Sequence, residues 1–243
     1  MDRFEYARSY SMPLEDYEIR HVEEQERPSI LDHMMEHFFA NEYILTTYFE
    51  KIRPSISEQQ WQDIKDSFRQ VHEDIAMNEP CFFAVHRPTR EVAGYILPII
   101  ERNPKFTSIE SNNREKGDVP LKSEIMSNWF ACVLDVICSS VDYFKLYPEI
   151  ETILDIDMVC IFPNYGNRGL ATAMIRFAID WAKSQKIGLV HGFFTSQYAR
   201  RAAERVGFKS CKELDIMSFR DPEGNVMYAG TKPHVIPVMA YLC

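Results

Sequence analysis

The segment of residues 157–171, DMVCIFPNYGNRGLA, limits the possible folds more than any other part of the chain. An apolar strand runs into a short turn that contains Gly166 and Gly169, and a helix begins directly after it. Backbone N–H groups at a helix start have no partner within the helix and lie at the positive end of its dipole. Glycine lets a ligand approach the main chain closely, and Arg168 adds a cation. We therefore predict a binding site for a diphosphate, with a purely structural strand–helix turn as the alternative.

The periodicity of the remaining chain predicts a mixed α/β fold. Apolar residues recur at helical spacing after Pro28, from 57 to 77 and from 122 to 144, and further helices are expected from Asn167 or Gly169 to about 183 and over 197–205. The expected strands are 17–22, 81–86, 92–100, 153–161 and 188–194, with two more on either side of a turn at 221–225. The order β-α-α-β-β-α-β-α-β-α-β-β predicts a central mixed, twisted sheet of about seven strands with helices on both faces.

The length of 243 residues suits a single domain over 1–243. Residues 1–15 look like a loose N-terminal arm, and the polar, aperiodic stretch 103–120 predicts a surface loop. The N-terminus has no apolar signal core, and no stretch approaches 18 uninterrupted apolar residues. We expect a soluble, cytoplasmic protein without a membrane partner.

Charge and cysteine usage exclude several classes of function. The net charge of −9 and the absence of a Lys/Arg block argue against a nucleic-acid partner and weakly favour a cationic substrate. The six cysteines are scattered, and the histidines do not pair with acidic or cysteine neighbours at ligand spacing. We expect neither a disulfide framework nor a metal site. The sequence does not indicate the oligomeric state.

Four stretches of the chain resemble a known family. YGNRGLA, residues 165–171, resembles the acetyl-CoA signature Q/R-x-x-G-x-G/A of GNAT acetyltransferases, with Gly166 in place of Gln or Arg. FFTSQYARRAAERVGFK, residues 193–209, is similar to the next strand and helix of that family. HFFANEYIL, residues 37–45, and the stretch 221–242 are similar to segments of the insect-type arylalkylamine N-acetyltransferases. The chain departs from that subgroup at Tyr43, where the family has Pro, and at Ala199, where a serine is usual.

The resemblance implies a GNAT fold with acetyl-CoA as co-substrate. In that family the strands before the two helices splay apart, and acetyl-CoA lies in the gap. Main-chain groups of Cys160 and Ile161 would pair with its pantetheine arm, as an added strand does. Arg200 and Arg201 would reach its phosphates or form a solvated helix face. The residues that the resemblance assigns to acetyl-CoA are Cys160, Ile161, Gly166, Asn167, Arg168, Gly169, Leu170, Ala171, Ser196 and Arg201.

Acetyl transfer to nitrogen requires an uncharged amine, so a general base is the first chemical requirement. Glu42 occupies the family's glutamate position and is our candidate for the base, and a solvated carboxylate at a helix end is the alternative. Asp155 and Asp157 are the rival candidates. They alternate with Ile156 on one face of a buried strand, where they would lie in the substrate pocket or accept hydrogen bonds from neighbouring loops. His191 reads as a core histidine.

The remaining candidates follow from the same chemistry. Thr195 keeps one of the family's two hydroxyl groups, and Tyr198 would protonate the leaving thiolate or form a wall of the site. Tyr43 is a candidate substrate contact, and the N–H group of Cys160 or Ile161 is the expected oxyanion donor. Aromatic residues at 38, 39, 43, 48 and 49 would line an arylalkyl pocket or belong to the core.

The predicted function is transfer of acetyl from acetyl-CoA to the primary amine of a small arylalkylamine, by direct attack with general-base help. Within the enzyme class, a polyamine or peptide-amine acetyltransferase is the alternative. Outside it, the departures at Gly166 and Ala199 leave open a non-catalytic module that binds acyl-CoA.

Overall fold

Seven strands form one mixed sheet in the computed structural model, which describes residues 14–106 and 120–243. The strand order is β1-β2-β3-β4-β5-β7-β6, and only β4 and β5 pair in parallel. The predicted α/β class and sheet size are therefore confirmed. Residues 1–13 of the predicted arm and 107–119 of the predicted loop lie outside the described residues. The strands are β1 Tyr17–His21, β2 Phe82–His86, β3 Val92–Arg102, β4 Thr152–Ile161, β5 Leu189–Phe193, β6 Lys209–Asp215 and β7 Val235–Leu242.

Helices cover both faces of the sheet, as predicted. One face carries α7 and α8, and the other carries the helices that precede β4. Two π-helical segments, Met34–Phe39 and Phe130–Leu134, continue α1 and join α4 to α5. The helices are α1 Arg27–His33, α2 Tyr43–Ile52, α3 Glu58–Asn78, α4 Glu124–Trp129, α5 Asp135–Cys138, α6 Tyr143–Leu146, α7 Leu170–Ser184 and α8 Gln197–Val206.

The structure differs from the sequence-based prediction at three places. The expected helix over 122–144 ends at Cys138, and a separate turn, α6, begins where Asp142 accepts a hydrogen bond from Lys145 N–H at 2.9 Å. The sequence analysis did not identify α2, which Glu42 caps only three residues after the π-helical segment ends. Beside the turn at 221–225 only Arg220 and Val226 pair, because β6 ends well before the turn and β7 begins well after it.

By length and composition, the segment Glu124–Leu146 of the described chain is apolar enough to cross a membrane. Its most apolar window of 18 residues has a mean hydropathy of 1.3. Its helices are interrupted at 139–142, and they bury Met126, Trp129 and Val133 in the core. A core helix meets the same criterion, so this segment assigns no membrane role.

The parallel strands β4 and β5 separate after a short paired region. Residues 153–155 of β4 pair with 189–191 of β5, and β4 then continues to Ile161 away from its neighbour. Gly192 lies where the strands diverge, and a Cβ atom there would come within 3.1 Å of the Ile156 carbonyl oxygen. The splayed pair expected from the family resemblance is present, and it opens a gap in the middle of the sheet.

A β-bulge interrupts β4 inside this gap. Leu97 of β3 pairs with Met158, and Pro98 pairs with Ile156, so Asp157 is the extra residue of the bulge. Proline has no N–H group to donate to a neighbouring strand, which suits its position at a bulge. Bulges re-aim side chains, and this one determines where the Asp157 carboxylate points.

Candidate active site

A single cavity of about 870 Å³ occupies the gap between β4 and β5. It extends from the glycine-containing turn, past the starts of α2 and α8, to an aromatic end beneath α3 and α4. Asp155 and Arg168 are not among its lining residues. The predicted site residues that line the cavity are Glu42, Tyr43, Asp157, Cys160, Ile161, Gly166, Asn167, Gly169, Leu170, Ala171, Thr195, Ser196, Tyr198 and Arg201.

The glycine-containing turn presents main-chain donors to the cavity. Asn167 and Gly169 have φ values of 59° and 73°, in the left-handed region that Asn tolerates and Gly favours. The helix α7 begins after Gly169, and its first bond joins Ala173 N–H to the Gly169 carbonyl oxygen at 3.1 Å. The amides of Leu170 and Ala171 precede that bond and lie at the positive end of the helix dipole. These groups fit a diphosphate such as that of coenzyme A.

Arg168 supports this turn from behind. Its Nη1 donates to the Tyr17 hydroxyl at 2.9 Å, and its guanidinium lies 5.8 Å from the centre of the Tyr165 ring. The Tyr165 hydroxyl in turn donates to Glu91 Oε2 at 2.6 Å. These bonds tie the turn to β1 and to the β2–β3 hairpin. These bonds give Arg168 a positioning role, and its predicted contact with a phosphate stays a prediction.

The cations that line the cavity come from α8. Arg201, which the sequence analysis proposed, and Arg205, which it did not, both line the cavity near the turn. Arg200 points away, because it pairs with Glu204 at 3.0 Å and with Glu213 at 3.1 Å. The helical spacing of 201 and 205 was the signal for the second arginine, since positions four apart share a helix face.

The main chain of β4 offers one of the two predicted amides to a ligand. Phe162 N–H donates to the Ala93 carbonyl oxygen at 2.9 Å, which marks a hydrogen-bonded pair. Such pairs alternate with non-bonded pairs along an antiparallel ladder. The main chain of Cys160, opposite Tyr95, is therefore bonded to β3, and Ile161 directs its N–H into the gap. Ile161, and not Cys160, is the amide available to a pantetheine arm or an oxyanion.

Glu42 is held at the start of α2 with one carboxylate oxygen committed to the helix. Oε2 accepts a hydrogen bond from Leu45 N–H at 2.7 Å. Oε1 is buried and makes no hydrogen bond within the described chain. Burial raises the pKa of this carboxyl group, and the Thr195 hydroxyl and the first amides of α2 only partly oppose the effect. The alternative of a solvated helix-end carboxylate does not fit this burial.

A buried hydrogen-bond chain fixes the position of α2. Trp129 Nε1–H donates to the Tyr228 hydroxyl at 3.1 Å, and that hydroxyl donates to the Ile44 carbonyl oxygen at 3.1 Å. Tyr228 is fully buried. This series of hydrogen bonds links α4, the C-terminal loop and α2, and thereby anchors the turn that carries Glu42.

Thr195 and Tyr43 meet at His234, a residue to which the sequence analysis gave no role. His234 Nε2 lies 2.6 Å from the Thr195 carbonyl oxygen, and because a carbonyl only accepts, Nε2 carries the proton. The His234 ring packs against Tyr43 in a tilted arrangement, with the ring centres 4.3 Å apart. The contact joins the loop before β7 to the start of α2, beside the catalytic candidate Glu42.

Ser196 and Tyr198 have different positions at the start of α8. The Ser196 hydroxyl accepts from Ala199 N–H at 3.1 Å and so caps the helix. Tyr198 is 77% exposed at the rim of the cavity. Its hydroxyl is available to a ligand that extends out of the gap, which is compatible with either role predicted for it.

Asp155 faces a separate buried cluster. Its Oδ1 lies 3.6 Å from His191 Nδ1, and His191 Nε2 lies 3.8 Å from Glu101 Oε1. His191 is buried, as expected of a core histidine, and the tilted Tyr143 ring packs against it with the ring centres 4.7 Å apart. One ligand atom from each of Glu101, Asp155 and His191 lies within 4.8 Å of the others, a metal-ligand spacing that the sequence did not show. The structure gives Asp155 no access to the cavity.

The aromatic end of the cavity comes from elements that the sequence analysis did not combine. Phe38 and Tyr43 line the cavity, whereas Phe39 and Phe49 are buried in the core. The other aromatic lining residues of that end, which come from α3 and from the junction of α4 with its π-helical segment, are Phe68, Trp129 and Phe130.

Comparison with known proteins gives a consistent family and fold. The acetyltransferase (GNAT) family model matches residues 40–208. Arylalkylamine N-acetyltransferase 2 from Aedes aegypti has 18% identity and a TM-score of 0.73, over 93% of this chain and 99% of that one. A mosquito arylalkylamine N-acetyltransferase like 5b has 16% identity and a TM-score of 0.69, over 93% of this chain and 100% of that one.

A third structure extends the range of substrates among similar proteins. Polyamine N-acetyltransferase from Drosophila melanogaster, an enzyme that forms N-acetylagmatine, has 14% identity and a TM-score of 0.65. The match covers 94% of this chain and 100% of that one. At such identities, all three likenesses show a shared fold and leave the amine to be argued from the site.

Proposed function

The chain belongs to the acetyltransferase (GNAT) family, and from that premise we propose that it transfers the acetyl group of acetyl-CoA to the primary amine of a small arylalkylamine. The observation that carries this proposal is the continuity of the cavity. One space connects the diphosphate-fitting turn, the inward amide of β4, the buried carboxyl group of Glu42 and an aromatic end. Acetyl-CoA supplies the activated acyl group, and the chain supplies the binding and the proton transfers.

Glu42 is the proposed general base. An alkylammonium group has a pKa near that of Lys, so the uncharged amine at neutral pH costs roughly 4–5 kcal/mol. Glu42 lines the cavity, and its buried Oε1 makes no hydrogen bond in the described chain, so it is the oxygen proposed to accept the proton, directly or through one water. Burial makes it a stronger proton acceptor than an exposed carboxylate, because it raises the pKa.

The remaining roles follow from position. The N–H group of Ile161 points into the gap and is the proposed oxyanion donor. Tyr198 at the rim is the proposed proton donor to the leaving thiolate. Tyr43, which packs against His234, is proposed to contact the amine substrate.

A polyamine substrate is the second candidate, and one observation favours it. Asp157 places a carboxylate at the aromatic end of the cavity, remote from the turn, where it would attract a second cation. The Drosophila enzyme of similar fold forms N-acetylagmatine. A non-catalytic acyl-CoA-binding module is the third candidate, and the main-chain donors of the turn, which the glycine at 166 leaves in place, fit it as well as they fit an enzyme.

Release of free thiol from acetyl-CoA, measured against a panel of arylalkylamines, diamines and a peptide amine, tests the proposal. We expect turnover with arylalkylamines above that with diamines. Binding of acetyl-CoA without thiol release under any amine would instead establish a binding module.

The variant Glu42→Gln tests the assignment of the base. We expect kcat at neutral pH to fall by about 10²- to 10⁴-fold, the usual contribution of a general base, with the KM for acetyl-CoA near that of the wild type. Glu50→Gln is the matched control, since Glu50 is an exposed glutamate on the same helix. Normal turnover in Glu42→Gln would show that another group takes the proton.

A further inference from the structure

The cavity ends at a pair of buried polar side chains. His72 of α3 and Asp157 of β4 both line the cavity, and their side chains are each 4% exposed. His72 Nε2 lies 3.8 Å from Asp157 Oδ2. The walls around the pair are aromatic, and the centres of the tilted Phe68 and Phe130 rings lie 4.4 Å and 6.4 Å from that of the His72 ring. Polar groups placed in a largely apolar pocket fix the orientation of a ligand.

The bulge in β4 brings Asp157 to this position. In a regular strand, residues 157 and 158 would point to opposite faces. Because Asp157 is the extra residue of the bulge, both residues contact the side of the sheet that carries α3. Asp155, two residues earlier on the same strand, instead pairs with His191 outside the cavity. The strand therefore carries two carboxylates in different environments, and only one of them faces the ligand space.

The hydrogen bond of His72 determines what the pair can offer. His72 Nδ1 lies 2.7 Å from the Phe68 carbonyl oxygen, and since a carbonyl only accepts, Nδ1 carries the proton. In the neutral ring Nε2 is then an acceptor, and it faces a second acceptor, the carboxylate of Asp157. A ligand group with two donor hydrogens complements this arrangement.

The pair also lies at a suitable distance from the reaction centre. Asp157 precedes Cys160 by three residues, a separation of roughly 10 Å along an extended strand and slightly less across a bulge. The amine to be acetylated must lie near Ile161 and Glu42, at the other end of that distance. A substrate that spans both places needs a ring or chain of several atoms between its amine and its second polar group.

We propose that Asp157 and His72 form a second polar subsite that binds a group with two donor hydrogens at the end of the substrate opposite the acetylated amine. This rests on the proposed acetyltransferase function. The adjacent hydroxyls of a catechol and the terminal cation of a diamine or guanidine share this chemistry. The aromatic walls accept a flat ring by stacking and a cation by its attraction to the ring faces.

Matched amines test the proposal through their kcat/KM values. The series is 2-phenylethylamine, tyramine and dopamine, which add ring hydroxyls one at a time, with 1,5-diaminopentane and agmatine as the cationic arm. We expect the favoured two-donor amine to exceed 2-phenylethylamine by about 10- to 100-fold, as hydrogen bonds to a charged group contribute. If dopamine has the highest kcat/KM, the catechol hydroxyls are the donors that the subsite binds. If 1,5-diaminopentane or agmatine has the highest value, the terminal cation is the donor.

Two variants remove the subsite. Asp157→Asn keeps the size and an acceptor oxygen but removes the charge, and His72→Phe keeps a ring and removes the nitrogen. In both variants we expect the ratio of kcat/KM for the two-donor amine to that for 2-phenylethylamine to fall close to one, mainly because the KM for the two-donor amine rises. Asp155→Asn is the matched control, with the same change on the same strand, and it should keep the wild-type ratio. Calorimetric binding of the same amines to the protein with coenzyme A gives the ratio without turnover.

The outcomes separate the subsite from the overall function. Turnover of all the amines with equal kcat/KM, or a wild-type preference that survives in both variants, overturns the subsite and leaves the acetyltransferase proposal standing. Absence of turnover with every amine, despite binding of acetyl-CoA, overturns the acetyltransferase proposal and the subsite together.

Discussion

At the residue scale, Glu42 is both a buried carboxyl group and the proposed base. Its ionised form lowers the free energy of unfolding. Burial raises the pKa of the carboxyl group in the folded protein. Such a group binds its proton more tightly when folded, so its stabilising contribution is full below the unfolded pKa and is lost as the pH rises through the folded pKa. At neutral pH the ionised carboxylate therefore works against folding, a common compromise at active sites.

Glu42→Gln should remove that pH-dependent cost. The amide oxygen can still accept from Leu45 N–H, but it does not ionise. We expect the free energy of unfolding of the variant, relative to the wild type, to increase as the pH rises from the unfolded pKa of about 4 through the raised folded pKa. Denaturant unfolding at several pH values measures the difference, with Glu50→Gln as the control. A difference that does not change with pH would contradict the raised pKa.

The position of Gly166 allows a substitution that should increase the affinity for acetyl-CoA. It stands where the resembling family has Gln or Arg, its φ is −64°, and a Cβ atom there would meet only the Pro163 carbonyl oxygen, at 3.4 Å. A side chain fits, so we expect Gly166→Arg to lower the Kd for acetyl-CoA by about 10-fold through one charge-assisted bond.

Asn164→Arg is the control for that variant. It adds the same charge to an exposed position of the same turn that does not line the cavity. Equal affinity gains in the two variants would indicate a general charge effect, and no gain in Gly166→Arg would show that the turn does not hold the diphosphate as proposed. Isothermal titration with acetyl-CoA measures both.

At the element scale, the glycine-containing turn depends on contacts that lie behind it. Arg168 reaches Tyr17 on β1, and Tyr165 reaches Glu91 beside the β2–β3 hairpin. The geometry of the main-chain donors is therefore set partly by strands from the opposite end of the sequence. Preorganised donors bind more tightly, because the ligand does not have to order them.

Tyr17→Phe should weaken acetyl-CoA binding without slowing the chemistry. It removes the hydroxyl that accepts from Arg168 and leaves the buried ring in place. We expect the KM for acetyl-CoA to rise by about 2- to 10-fold, the worth of one hydrogen bond, with kcat unchanged. Tyr241→Phe, which removes a hydroxyl bonded to Lys183 at the far end of α7, is the control. An equal change in both variants, or a fall in kcat, would contradict a positioning role.

The elements that the sequence predicted well are those whose signals are local. The apolar strand, the turn and the helix α7 follow each other directly, and Gly207 ends α8 with a φ of 104°. In contrast, α2 begins only three residues after the preceding helical segment, and nothing between them breaks the helical pattern as Pro or Gly does. Its cap is Glu42, which is not among the preferred capping residues.

The site residues that the sequence did not reveal meet only through tertiary packing. His72 belongs to an amphipathic helix, where a histidine on the apolar stripe looks like any core position. The contact between His72 and Asp157 also depends on a bulge, since the register shift at Pro98 aims the carboxylate. Arg168 shows the opposite effect. Its place in the glycine-containing turn predicts a contact with the ligand, whereas in the packed structure its side chain bonds to Tyr17.

At the scale of the whole molecule, the sheet is divided by its own ligand site. β4 and β5 share only three paired residues, so the two halves of the sheet are joined weakly there. A ligand that pairs with Ile161 of β4 and also contacts Arg201 of α8, the helix after β5, adds contacts to both halves. We expect acetyl-CoA at 100 times its Kd to stabilise the fold by about 2.7 kcal/mol, by mass action alone.

Thermal unfolding with increasing acetyl-CoA checks this expectation, and dephosphorylated pantetheine serves as the control that lacks the diphosphate. The control should raise the Tm far less at the same concentration. A Tm that responds equally to both, or to neither, would argue against the turn as the anchor of the cofactor.

The dual use of Glu42 links each turnover to the folding of a helix. One oxygen of its carboxylate holds the first turn of α2, and the other is proposed to receive the proton from the amine. A protonated carboxyl is a weaker acceptor than an ionised one, and it loses its attraction to the helix dipole. Every catalytic cycle would then briefly weaken the bond to Leu45 N–H while it removes a buried charge, so the start of α2 would alternate between a strong cap with a buried charge and a weak cap without one.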